Sequence, residues 1–243
     1  MKIGAIIFSR FSSERLPGKA LIDISGRSLL GRVIDRTREI QGIDKIIVAT
    51  SSEPEDDQIE DFVRKENIDV YRGSLNDVVS RTYETCLKYN LERFIRICGD
   101  RPFFSPYLIT DLLKISLQED FDIITTTFPR TYPPGLTCEI LKTELLTKNL
   151  DAIIEKEDKE HLTSFFYKNP EKFNIKNVSP KNKINFERIN LCVDNDKDLE
   201  RAIWISDQMI QNNDNCYNIE EIIALAREWD CLLYTSPAHE TPI

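Results

Sequence analysis

Short apolar runs alternate with helix-period segments through the first half of the chain, and this alternation narrows the fold more than any other feature. The run at 2–8 is apolar from Ile3 to Phe8, and beyond a polar loop Leu29, Leu30, Val33 and Ile34 recur at helical spacing. Such spacing marks one face of a helix. The unit then repeats, with strands expected at 45–50, 69–71, 93–98 and 121–126 and helices at 53–65, 75–89 and 106–117. Strands that are apolar on both faces and separated by helices pair in parallel, because each crossover helix returns over the sheet and covers it. The expectation is an α/β fold built on a mostly parallel sheet.

Beyond residue 128 the pattern loosens. Residues 129–139 hold three prolines and Gly135, which predicts an irregular excursion or hairpin leading into a strand at 136–141. Helices are expected at 143–149, 159–167, 197–211 and 219–228, and strands at 172–178 and 188–193. No internal repeat and no Gly/Ser linker divides the chain, so residues 1–230 read as a single domain with its irregular excursion near 129–180. The last segment, C-L-L-Y-T-S-P-A-H-E-T-P-I at 231–243, shows neither helical period nor connection to the element before it. It reads as a non-native tail, and His239 and Glu240 are set aside with it.

Composition bounds the function. With 41% hydrophobic and 30% charged residues and a net charge of −9, the chain lacks the broad basic surface that nucleic acid or an anionic membrane demands. No apolar run reaches membrane-spanning length, and the expected location is cytoplasmic. Cys86, Cys98, Cys138, Cys192, Cys216 and Cys231 form no CxxC pair and no cluster at metal-ligand spacing, as buried or incidental thiols in a reducing compartment would not. Any anion site must be local.

One stretch supplies it. Arg10 to Lys19 reads R-F-S-S-E-R-L-P-G-K, placing three cations, two hydroxyls and a glycine at the carboxyl end of the first strand. Ligands of open α/β sheets bind at that end, and backbone amides of a glycine-bearing loop approach phosphate closely. The loop is neither a Walker A sequence nor GxGxxG, and alone it supports an anion site or a solvated basic turn. Asp100 follows the strand at 93–98 and Asp194 the one at 188–193. Taken singly, each reads as a cap or turn residue; brought together by strand order, they would suit a hard divalent cation. Asn76 reads as a helix cap, and Asp196 with Asp198 as the cap and first turn of the following helix.

The loop resembles the R-x-x-S-x-R-L-P-G-K signature of the cytidylyltransferases that activate 2-keto-3-deoxy sugar acids, and of the related spore coat polysaccharide family, the nearer of the two. Further matches follow in order: V-A-T-S-S-E-P-E-D-D from Val48, R-G-S-L-N-D-V from Arg72, I-C-G-D-R-P from Ile97, P-R-T-Y-P-P-G-L from Pro129, K-E-H-L-T from Lys159 and V-D-N-D-K-D-L-E from Val193. They span about residues 1–205. The resemblance implies a three-layer fold of the nucleotide-diphospho-sugar transferase (GT-A-like, Rossmann-like) type and transfer of CMP from CTP to an acidic sugar or phosphorylated small molecule, with release of pyrophosphate. It implies Arg10, Arg15 and Lys19 on the triphosphate, Ser13 and the Gly18 backbone beside them, and Mg²⁺ on Asp100 and Asp194. Arg72, Gly73 and Asp77 would read cytosine and ribose, with Arg81 as a phosphate or acceptor contact. Arg130, Tyr132, Glu139 and His161 would face the anionic acceptor, and the irregular region would form a homodimer.

Two alternatives stand beside this. A sugar-phosphate nucleotidyltransferase or glycosyltransferase of the same fold would carry a GxGTRL-type loop or a DxD motif, and neither occurs in the expected place. A catalytically silent nucleotide-binding protein would keep the fold, and Phe8 and Glu14 depart from the residues usual in the sugar-acid enzymes.

Overall fold

The computed structural model describes residues 1–13, 15–182, 184–211 and 218–235; Glu14, Cys216 and residues 236–243, with His239 and Glu240, lie outside the described residues. β1 (Ile3–Phe8) leads through a two-stranded ribbon, β2 (Asp23–Ile24) with β3 (Arg27–Ser28), into α1 (Leu29–Arg38). Then β4 (Lys45–Ser51), α2 (Asp57–Lys65), β5 (Asp69–Gly73), α3 (Val78–Tyr89), β6 (Arg93–Cys98), α4 (Pro106–Gln118) and β7 (Ile123–Thr125) alternate. The second half adds β8 (Glu139–Lys142), α5 (Thr143–Asn149), α6 (Lys156–Glu160), α7 (Ser164–Lys168), β9 (Ile175–Asn177), α8 (Asp196–Gln211) and α9 (Ile219–Thr235).

These strands form one seven-stranded sheet in the order β5-β4-β1-β6-β8-β7-β9. Pairing is parallel from β5 to β6 and between β7 and β9, while β8 runs antiparallel to both its neighbours. The two-residue alternation of strand side chains explains why the strands read as unbroken apolar runs. In β1, Ile3, Ala5 and Ile7 enter one core with Ile34 of α1, Ile59 of α2 and Leu112 of α4. Ile6 enters the opposite core with Cys86 of α3, Leu146 of α5 and Phe166 of α7. Full burial of each such side chain stabilises the fold by about 1.5–3 kcal/mol. Short polar side chains start the helices: Ser28 Oγ accepts from Gly31 N at 3.2 Å, and Ser105 precedes Pro106 at the first position of α4, where its missing N–H has no partner to lose.

A third apolar cluster lies beyond the sheet, where Ala202 and Ile205 of α8 and Ile222 and Ala226 of α9 pack with Leu16, Ile24, Leu136, Ile189, Leu191 and Val193. It accounts for one difference from the sequence reading. Residues 188–193 form no strand; Leu191 N donates to Pro134 O and Val193 N to Asp100 O, both at 2.9 Å, outside any ladder. Their alternating apolar residues mark packing into this cluster. The helix expected over 159–167 is two short ones, with His161 at φ −106°, ψ 89° ending α6. Residues 231–235, read from sequence as disconnected, continue α9.

Gly135 fits residues 188–193 against the fold. Its φ is +93°, and a Cβ there would come within 2.6 Å of the Leu191 carbonyl carbon. A side chain adds both strain and overlap, so Gly135→Ala should destabilise the protein by about 1–3 kcal/mol in urea unfolding. A variant as stable as wild type would show that this crossing is not fixed by the missing Cβ.

Candidate active site

The loop after β1 enters a cleft of about 420 Å³ at the carboxyl ends of the central strands. A buried carboxylate sets the loop's path. Asp56 is 1% exposed; its Oδ1 accepts from Phe11 N at 2.6 Å, while Oδ2 accepts from Thr50 Oγ1 at 2.7 Å, Ser51 N at 2.8 Å and Ser51 Oγ. The end of β4 and the start of the loop thus share one charged anchor. Gly18 closes the loop at φ +72°, its N–H donating to Phe11 O at 3.0 Å, and a Cβ there would meet the Phe11 ring at 3.1 Å.

Lys19 follows that turn and gathers the acidic side of the cleft. Its Nζ donates to Val193 O at 2.7 Å and Asp194 Oδ1 at 2.9 Å and lies 3.6 Å from Asp100 Oδ2. Arg15 approaches the other Asp194 oxygen at 3.4 Å. Asp100 Oδ1 is buried without a hydrogen-bond partner. Asp198 holds Asp194 from behind, accepting from its backbone N–H at 3.1 Å. Arg10, Ser13, Arg15 and Lys19 line the loop side of the cleft, Arg81 lines it from α3, and Glu160 and His161 line it from the end of α6. Arg81 is 3% exposed and its Nε has no partner. Burial, reinforced by nearby Arg10 and opposed by Asp56, lowers its pKa to about 10.

A loop rich in cations and hydroxyls, opposed by two carboxylates joined through a lysine, is suited to a polyphosphate and a divalent cation together. A family model described as Cytidylyltransferase matches residues 4–223. The chain belongs to the cytidylyltransferase family. It is a CTP-dependent nucleotidyltransferase. The spore coat polysaccharide biosynthesis protein SpsF of Bacillus subtilis is 28% identical over 202 residues, covering 80% of this chain and 82% of that protein. Among solved structures, a cytidylyltransferase from Leptospira borgpetersenii superposes with a TM-score of 0.86 at 24% identity, covering 97% and 98% of the two chains. A CMP:2-keto-3-deoxy-manno-octonic acid synthetase complexed with CTP superposes at 0.67 with 18% identity, covering 86% and 99%; at such identity these structures establish the fold.

Several expected site residues of this cytidylyltransferase stand elsewhere. Arg72 lies within β5, and its guanidinium is engaged by Ser51 O, Glu53 O, Asp57 at 2.5 Å and Glu60 at 2.8 Å, outside the cleft lining; Gly73 ends the same edge strand. Asp77, not Asn76, caps α3, accepting from Ser80 N at 2.8 Å, and Asn195 rather than Asp196 caps α8, accepting from Asp198 N at 3.0 Å. Tyr132 is buried in the third apolar cluster, and Arg130 lines a separate surface depression with Phe186 and Arg188. Glu139 sits inside the sheet, where its carboxylate is taken by Arg96 and by Tyr167 O–H at 2.5 Å. Against the desolvation that burial imposes, Arg96 and Tyr167 hold its pKa below the usual carboxylate range.

Asp56 and Arg96, the latter on the cleft wall, escape the sequence reading. Their signals were an acidic residue within the motif after β4 and an arginine inside the apolar run at 93–98. Asp56 also yields a pH signature. Burial raises its pKa, but the hydrogen bonds from Ser51, Phe11 and Thr50 outweigh burial and leave it below the ordinary 3.8. A depressed folded pKa contributes stability in full above that ordinary value and loses it as pH falls through the folded one. Asp56→Asn should therefore cost about 2–3 kcal/mol at neutral pH. Paired urea melts should show the gap narrowing below about pH 3.8; a gap constant into strong acid would remove the Asp56 charge as the anchor.

Proposed function

We propose that the cleft binds CTP with its triphosphate over the loop from Arg10 to Lys19 and transfers CMP to an anionic small molecule, an acidic sugar or a phosphorylated metabolite. The observation that carries this reading is Lys19, whose ammonium lies within 3.6 Å of Asp100 and 2.9 Å of Asp194 beside the loop cations. A silent binding protein would need the cations alone. The two carboxylates point to phosphoryl chemistry.

In the reaction an acceptor oxygen, either a phosphate oxygen or a hydroxyl whose proton passes to solvent, attacks the α-phosphorus of CTP. The new oxygen–phosphorus bond forms as the bond from the α-phosphorus to the α–β bridging oxygen breaks, and that electron pair leaves with pyrophosphate. Arg10, Arg15 and Lys19 balance the charge that builds on the departing phosphates, and the left-handed Gly18 turn sets the position of Lys19. Positioning supplies the rest, by holding the two reactants in line. The donor set fits a divalent cation, since Asp100 Oδ1 is buried and unpartnered beside Asp194. A hard ion takes one or two carboxylates together with phosphate oxygens and waters. Magnesium is the expected occupant, held by Asp100 and Asp194; bound there it would polarise phosphate and acceptor oxygens. His161 and Glu160 line the same cleft, and in this reading they face the acceptor.

Lys19→Ala should cut pyrophosphate release by at least about 100-fold, the scale of losing one group aimed at developing charge, with the far-UV circular dichroism of wild type. Unchanged turnover would refute the assignment. Chelation by EDTA should likewise stop turnover, and added Mg²⁺ or Mn²⁺ restore it; activity that survives chelation would take the cation out of the mechanism.

A further inference from the structure

Arg96 is an arginine in the middle of a central strand, on the wall of the cleft and not on its loop. Its ladder partner is Glu139 of β8, and Thr125 of β7 stands next across at the same level. Arg96 NH1 pairs with Glu139 Oε2, Glu139 Oε1 accepts from Tyr167 O–H at 2.5 Å, and that hydroxyl lies 2.9 Å from Thr125 Oγ1. The row pins the guanidinium at the level of residue 96. Only NH1 is used; Nε and NH2 have no hydrogen-bond partner among the described residues, and the side chain keeps 23% of its surface open. A buried ion pair is weak evidence for stability, since well-packed apolar residues serve that purpose as well or better. An arginine that lines a cleft and is held through one nitrogen keeps donors for a carboxylate or phosphate.

We propose that Arg96 recognises an anionic group on the acceptor, remote from the oxygen that attacks CTP. This rests on the cleft being the CTP and acceptor site. Cys98 ends β6, and residue 96 lies about 7 Å back along the strand from it, whereas Asp100, where the attacking oxygen must meet the α-phosphorus, lies beyond that end. The two points are separated by several bonds of acceptor. The substrate class is therefore a small molecule with its nucleophile at one end and a carboxylate or phosphate at the other.

Calorimetry on the full chain tests this. CTP is titrated first, into wild type and Arg96→Gln, and should bind both within about two-fold, because the loop is untouched. Inorganic phosphate and acetate are then titrated into each CTP-saturated protein. Wild type should bind at least one of them, and the variant about 10- to 100-fold more weakly, the range for a charge-assisted hydrogen bond. Preference for phosphate assigns a phosphorylated acceptor, and preference for acetate an acid. Arg96→Gln paired with Glu139→Gln leaves no lone buried charge and should show the same loss if the single variant misfolds. Absence of CTP binding to wild type overturns the CTP reading and this one with it. Normal CTP binding with equal, or no, anion binding in all three proteins overturns the role of Arg96 alone.

Discussion

One ammonium group ties the site together. Lys19 reaches from the first loop to Val193 and Asp194, across sequence separations of 174 and 175, and to Asp100 just past the end of the central strand. Without a cation between them, two carboxylates crowded into a partly buried cleft repel each other. With Lys19 there, the ammonium offsets that repulsion, and three chain segments distant in sequence meet at one point. The loop and the acidic pair are one unit, since the charge of each makes the placing of the other tolerable.

That unit depends on how the loop is aimed. Parallel β1 and β4 end side by side, Phe8 level with Ala49, so the chain leaving β1 passes the turn leaving β4. Asp56 occupies that turn, and its carboxylate accepts from both sides. Hydrogen bonds to an ionised, buried acceptor are the stronger kind, and they restrain Phe11, against whose ring the Gly18 turn packs. From Asp56 to Phe11 to Gly18 to Lys19, each contact limits the freedom of the next. The precision of the site is inherited from strand register.

Much of this was legible in the sequence because the central strands are buried on both faces and appear as unbroken apolar runs. The R-L-P-G-K loop and the aspartates after residues 93–98 and 188–193 could be found because their chemistry is local to short motifs. What failed did so where tertiary packing overrides local pattern. Ile189, Leu191 and Val193 alternate like a strand but pack on α8 without a ladder. Leu162 and Phe166 prolong a helical period across His161, where the helix ends and the residue lines the cleft. Arg72 resembles a base-reading residue, yet Asp57 and Glu60 of α2 claim its guanidinium, and nothing in the order of residues announces that pairing.

The electrostatics of the whole chain sharpen the meaning of the cleft. A net charge of −9 leaves most of the surface unattractive to polyanions, while Arg10, Arg15, Lys19, Arg81 and Arg96 converge on one concavity. Against these five cations stand Asp100, Glu160 and Asp194, so the cleft is net positive; a cleft of one net sign concentrates field, and an opposing exterior discourages binding elsewhere. The cations also differ in how they are held. Arg10 and Arg15 ride on the loop, whereas Arg81 and Arg96 are fixed by helix and sheet, through Ser74 O and Glu139. The set on the loop suits the triphosphate, which arrives with CTP and leaves as pyrophosphate. A rigid set suits a partner that must be held at one distance from the reacting phosphorus, because misplacement of even 1 Å is costly to an in-line displacement.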